Sequence, residues 1–62
     1  MLSIDKIISG ITEQAFGEGY QAFKDGVSLD DNPYSQARSA IGATKYAGWI
    51  DGWNARATEK AE

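Results

Sequence analysis

The sequence predicts an all-α fold: a helix–loop–helix hairpin that forms a single domain over residues 1–62. Apolar residues recur at helical spacing in two stretches, and a polar connection with the only proline separates them. No stretch alternates apolar and polar residues as a half-buried strand would. A chain of 62 residues builds a small core, and without cysteine it cannot add a disulfide. Association with another chain is therefore the expected source of further stability.

A stripe of isoleucines lies at the start of the first predicted helix. Its members follow the i, i+3, i+4, i+7 spacing of one helix face: Ile4, Ile7, Ile8 and Ile11. The stripe suits either an oligomer or partner interface, or packing within the chain. We favour the interface and expect the hairpin to dimerise, because so short a chain has little remaining core to cover the stripe. Gly10, Gly17 and Gly19 each cost a helix about 1 kcal/mol relative to alanine, so a helix through them either needs tertiary support or breaks near Gly10, and we favour one bent helix or two abutting helices.

Small residues continue along the first helix and return in the second. They are Ala15, Gly19, Ala22 and Gly26 in the first half of the chain, and Gly48 and Gly52 in the second. This pattern predicts that two helix backbones approach closely, with aromatic residues packed around the crossing. Gly26 is typical of the left-handed C′ position that ends a helix.

The second helix is predicted over residues 37–57, after a polar connection that runs from Ser28 to Asn32. Asn32 and Pro33 together are typical of a helix start, with asparagine as N-cap and proline at the first helical position. Gly42 is the expected interruption. The apolar stripe of this helix consists of Tyr46, Trp49, Ile50, Trp53 and Ala57.

Charge is divided unevenly along the chain. The net charge is −3, and six acidic residues against two lysines concentrate the negative charge in residues 1–32. Proteins that bind nucleic acid through its phosphates usually show a basic excess, so direct nucleic-acid binding is disfavoured here. The acidic side chains form either an ordinary solvated surface or a face that meets a basic surface on a partner.

The residue types present argue against an enzyme. Without histidine or cysteine, the usual zinc ligands and the usual base for a serine nucleophile are missing. Residues 17–22 match the dinucleotide pattern G-x-G-x-x-A, but no strand precedes them. We therefore expect no catalytic residue, metal ion or cofactor. The chain also lacks an apolar run of about 20 residues and a signal-like N-terminus, which predicts a cytoplasmic protein that does not enter membranes.

Four short motifs resemble the signature of the ribosome modulation factor family, which includes many small proteins of phages and mobile elements. The motifs are Gly19-Tyr20-Gln21-Ala22, Gly26, Pro33-Tyr34 and Trp49-Ile50-Asp51-Gly52-Trp53. The resemblance covers about residues 15–57. It implies a helix–loop–helix fold and, for the founding members, binding to the small ribosomal subunit near the messenger exit region, which favours inactive ribosome dimers.

These observations lead to the hypothesis of a regulatory binding protein that occupies a site on a protein or ribonucleoprotein complex, in the first version the ribosome. The alternatives are a phage-type acidic inhibitor of a host nucleic-acid-processing or defence complex, and a structural homodimer. The predicted partner-binding residues are Asp25, Asp30, Asp31, Tyr34, Arg38, Lys45, Trp49, Trp53 and Arg56. Tryptophan and tyrosine are frequent in interface hot spots, but their helical spacing favours a mainly buried role with exposed edges.

Overall fold

Two packed helices make up the fold. The computed structural model describes residues 4–61 and the side chains of residues 9–60; helix α1 spans Ile4–Lys24 and helix α2 spans Ala40–Ala61. A short 3₁₀ helix, Leu29–Asp31, lies in the connection, and no strand occurs within residues 4–61. The predicted all-α fold, two helices joined by a connection and packed against each other, is confirmed, whereas dimerisation stays a prediction. Neither helix in this range has a segment of the length and apolarity that crossing a membrane requires.

Helix α1 is continuous, so the break expected near Gly10 does not occur. A Cβ atom at Gly10 or Gly17 would meet nothing within 4 Å, and neither glycine is required by a close contact. Their cost in helix propensity is offset by packing of the same helix against α2, where Ala15 is only 1% exposed. Tertiary packing therefore outweighs the local preference of the two glycines.

The C-terminal end of α1 has the predicted cap. Gly26 has a φ angle of 81°, in the left-handed region. The N–H of Val27 donates to the carbonyl of Ala22 at 2.9 Å, and the N–H of Gly26 donates to that of Phe23 at 3.1 Å. These two bonds form a Schellman motif, which confirms Gly26 as the C′ residue.

The start of the second helix was predicted wrongly. Asn32 and Pro33 do not begin a helix: the Asn32 Oδ1 atom accepts a hydrogen bond from the Tyr34 N–H at 2.9 Å and closes a local turn. Asn32 is 4% exposed, and its Nδ2 atom donates to the carbonyl of Tyr46 at 3.2 Å, so it anchors the connection to α2. An asparagine favours such turns for the same reason that it favours N-caps, namely its short hydrogen-bonding side chain.

Helix α2 begins instead at Ala40, with Ser39 as its cap. The N–H of Gly42 donates to the Ser39 Oγ atom at 3.0 Å, and the N–H of Ala43 donates to the Ser39 carbonyl at 2.9 Å. Gly42 therefore lies in the first turn and does not interrupt the helix. Asp30 and Asp31 lie in the first turn of the 3₁₀ helix, not of α2.

The small residues let the two helix backbones touch, as predicted. A Cβ atom at Gly19 would overlap the carbonyl oxygen of Trp49, and one at Gly52 would overlap the carbonyl oxygen of Phe16. Each glycine thus faces a carbonyl of the other helix, an arrangement in which Cα–H groups contact backbone oxygens. Trp49, 2% exposed, is buried beside this crossing.

Residues that contact each other across the crossing have numbers that increase together along the two helices. The contacts pair Thr12 with Gly48, Phe16 with Gly52, and Tyr20 with Arg56. The two helices therefore pass each other in the same general direction, and the connection must return along α1 before α2 begins. Tyr34 lies on this return, since its hydroxyl donates to the Glu18 carboxylate at 2.5 Å.

Trp53 joins the end of α1 to α2. Its ring meets the Phe23 ring edge-on, with centroids 4.9 Å apart and planes at 80°. Its Nε1–H group donates to the carbonyl of Val27 at 2.8 Å. The apolar ring is thus packed while its polar atom is satisfied, which is how a partly buried tryptophan is normally accommodated.

Candidate protein-binding groove

An open groove of about 760 Å³ lies between one side of α1, the connection and Trp49 of α2. Its size falls within the range of ligand-binding clefts. We call it the acidic groove, and its lining residues are Gln14, Gly17, Glu18, Gln21, Ala22, Asp25, Val27, Asp31, Pro33 and Trp49.

The exposed lining residues are mainly acids and amides. Three carboxylates border the groove, those of Glu18, Asp25 and Asp31. None of the described residues that line it is basic. The carboxylates are spread along the groove, and no group of three metal-ligating side chains converges within the described part of the chain. The groove therefore presents an extended negative charge and not a point site for a cation.

The deeper lining residues are apolar. Trp49 is buried, and Ala22 and Val27 are half-buried. Val27 is fixed there because its N–H and its carbonyl both take part in hydrogen bonds, to Ala22 and from Trp53. The cap of α1 thus forms part of the groove floor.

Two tyrosine–glutamate pairs, Tyr34–Glu18 and Tyr20–Glu59, hold surface carboxylates in place. In both, the tyrosine O–H donates to the carboxylate at 2.5 Å. The hydrogen bond to the glutamate is the main cause that raises the pKa of each tyrosine above its ordinary value of 10.0, with desolvation and the negative charge of the glutamate adding to it. Both hydroxyls therefore remain donors at neutral pH, and the Glu18 carboxylate keeps a defined position on the groove.

A cation lies over each of these tyrosine rings. The Lys45 Nζ atom is 5.7 Å from the centroid of the Tyr34 ring, and the Arg56 Cζ atom is 5.8 Å from that of the Tyr20 ring. Eleven residues separate the two cations along α2, which is about 16 Å of helix. Lys45 and Arg56 therefore lie over separate tyrosines, about three helical turns apart.

Some of the predicted partner-binding residues meet in the groove. Asp25, Asp31 and Trp49 line it, and Tyr34 adjoins it through Glu18. Trp49 is a core residue whose contribution is limited to the floor.

The other predicted partner-binding residues lie elsewhere. Asp30 and Arg38 are exposed outside the lining, and Lys45 and Arg56 contact tyrosines. Trp53 is engaged in packing. The groove thus includes two of the three predicted acidic residues, Asp25 and Asp31, and none of the predicted basic residues.

The predicted oligomer interface falls largely beyond the described side chains. Those of Ile4, Ile7 and Ile8 lie outside the part of the chain whose side chains the structure describes, and Ile11 is half-buried. The interface stays a prediction.

Sequence reasoning missed the wall that α1 contributes to the groove. Gln14, Glu18, Gln21 and Asp25 follow the i, i+4, i+7, i+11 spacing of one helix face. This polar stripe is visible in the sequence, but a polar face on an amphipathic helix is ordinarily just solvated. The groove becomes visible only when the connection folds back along α1.

With this geometry in view, the chain was compared with protein families, curated proteins and solved structures, and none of the three comparisons found a match.

Proposed function

We propose that this protein is a binding protein without catalytic activity, which acts by occupying a basic site on a larger protein or ribonucleoprotein complex. The observation that carries the proposal is the acidic groove: three carboxylates border an apolar floor, and no described lining residue is basic. Opposite charge on a partner would speed the encounter and orient the two surfaces, while the floor would supply apolar contact.

The ribosome is the first candidate complex, on the resemblance to the ribosome modulation factor family. Four positions of that resemblance, Gly19, Gly52, Trp49 and Trp53, pack the helix crossing or the helix end. These residues contribute to the fold, so the choice of partner depends on the surface residues. On that surface the carboxylates repel phosphates, so the expected contact on a ribosome is a basic protein segment and not ribosomal RNA.

The second candidate is a complex that processes nucleic acid, such as a host defence complex. A basic surface that normally holds nucleic acid is electrostatically complementary to the acidic groove. Occupation of that surface would exclude the nucleic acid, so the protein would act as a competitive inhibitor. The same groove supports both candidates, and only the identity of the bound complex separates them.

An affinity capture from bacterial lysate tests the proposal. The tagged protein is compared with two variants of equal charge: Asp25→Lys with Asp31→Lys, which changes the groove, and Glu13→Lys with Asp51→Lys, which changes exposed acids outside it. We expect the unchanged protein and the second variant to retain the same complex at low salt, and the groove variant to lose it. Small-subunit proteins in the retained material would identify the ribosome. Equal loss in both variants, or no retained complex, would refute the proposal.

A further inference from the structure

We infer that the acidic groove takes an extended segment of a partner protein in which arginine or lysine residues flank an apolar residue. The inference rests on the proposed function, because it names the chemistry of the partner at the same groove. The spread of the carboxylates, the apolar floor and the spacing of the amides each contribute to it.

The spread of charge favours a linear polycation. Glu18 and Asp25 lie seven residues apart on one side of α1, about 10 Å along the helix, and Asp31 approaches from the connection. Several cationic groups along a chain can each meet one carboxylate, whereas a single ion cannot meet all three. Arginine suits these positions because its planar fork pairs with a carboxylate through two hydrogen bonds.

The floor and the amides favour a peptide over other polycations. The half-buried Ala22 and Val27 offer apolar contact, which a polyamine chain with closely spaced charges cannot fully use; Trp49 is only 2% exposed and adds little to it. Gln14 and Gln21 lie seven residues apart on α1, about 10 Å along the helix axis, which is the length of three extended residues. The Gln21 Nε2 atom donates to the Asp25 Oδ1 atom at 3.1 Å, which leaves the Gln21 amide oxygen and the Gln14 amide to hydrogen-bond the backbone of an extended segment.

The length of the groove sets the length of the segment. From Gln14 to Asp25, the residue after the end of α1, the wall spans eleven residue steps, or about 16 Å. An extended chain rises about 3.3 Å per residue, so roughly five residues fit. A nucleic-acid strand fits the same space poorly because its phosphates would lie beside carboxylates.

Fluorescence anisotropy with labelled peptides tests the inference. The probe is a seven-residue peptide of alternating arginine and leucine; the comparison probes replace its leucines by serine or its arginines by glutamate, and spermine and a single-stranded oligonucleotide serve as competitors. We expect binding of the first probe only, with Kd raised about tenfold or more by Asp25→Lys with Asp31→Lys and little changed by Glu13→Lys with Asp51→Lys. Equal binding of the serine peptide, full competition by spermine, or preference for the oligonucleotide would overturn it.

A second pair of variants removes the risk of misfolding. Gly17→Arg places a cation on the groove wall, and Gly10→Arg places the same cation on α1 outside the lining; in both places a Cβ has open space. Both substitutions improve helix propensity, so both should fold. We expect Gly17→Arg to weaken binding of the arginine–leucine peptide about tenfold or more and Gly10→Arg to weaken it much less. Equal effects would show that net charge, and not the groove, controls binding.

The proposed function and the inference about the bound segment can be refuted independently. If lysate capture retains a complex in a groove-dependent manner but the arginine–leucine peptide does not bind, the proposed function stands and the inference about the segment is wrong. If the peptide binds in the groove-dependent manner but no complex is captured, the inference about the groove stands and the proposed function is wrong.

Discussion

Adding one methyl group at the helix crossing should nearly unfold the protein. In Gly19→Ala or Gly52→Ala the new Cβ would overlap a backbone carbonyl oxygen, which cannot rotate aside as a side chain can. Overpacking of this kind typically costs about 1–3 kcal/mol. If the helices separate to make room, part of the Trp49 side chain becomes exposed to water. Exposure of half of its surface of about 200 Å², at about 25 cal/mol per Å², costs roughly 2.5 kcal/mol of folding free energy.

The gain in helix propensity, about 1 kcal/mol, offsets only part of this cost. We expect a net loss of about 3 kcal/mol, which approaches the whole stability of a domain of this size. Gly10→Ala and Gly17→Ala are the controls, because a Cβ there meets nothing within 4 Å. The free energy of unfolding of each control variant should rise by up to about 1 kcal/mol, which raises Tm by about 4–8 °C. Thermal and urea unfolding followed by circular dichroism measure both effects, and crossing variants as stable as the controls would refute the close approach of the backbones.

Three further outcomes follow from single contacts. Trp53→Phe leaves the Val27 carbonyl without its donor, and urea unfolding should show a loss of about 1–2 kcal/mol. Ser39→Ala removes the cap of α2 and should cost about 1 kcal/mol, which Ser39→Asp should restore in the same assay. The hydrogen bonds of the two tyrosine–glutamate pairs raise the pKa of both tyrosines above 10.0, so their stabilisation of the folded state is complete below pH 10 and is lost as the pH rises through the raised pKa values. Tyr20→Phe with Tyr34→Phe should remove this stabilisation. A stability difference from the unchanged protein that is the same at pH 8 and pH 11 would contradict this cause.

The helices and their crossing could be predicted from the sequence because glycine and helical spacing have direct steric meaning. Gly26 ends α1, and Gly19 and Gly52 permit close approach, as their positions indicated. The continuity of α1 through Gly10 could not be predicted, because propensity is local while the packing that overrides it is tertiary.

The path of the connection and the acidic groove could not be predicted from the sequence, for a related reason. Asn32 suits a helix cap and a turn equally well, and its burial against the Tyr46 carbonyl selects the turn. That choice directs the connection back along α1 and brings Asp31 into the same groove as Glu18. Asp25 and Asp31 were predicted as contact residues from charge alone, whereas Glu18 joins them only once the connection is placed.

Site-specific photocrosslinking tests the central claim most directly, and the absence of cysteine makes it straightforward. A single cysteine that carries benzophenone is introduced at Gln21, which lines the acidic groove, or at Asn54, which is exposed on α2 outside the lining. In lysate under native conditions, we expect the probe at Gln21 to crosslink to a basic segment of one partner protein and the probe at Asn54 to give no such product. Crosslinks to nucleic acid, or the same partner from Asn54 with none from Gln21, would contradict a function based on the acidic groove.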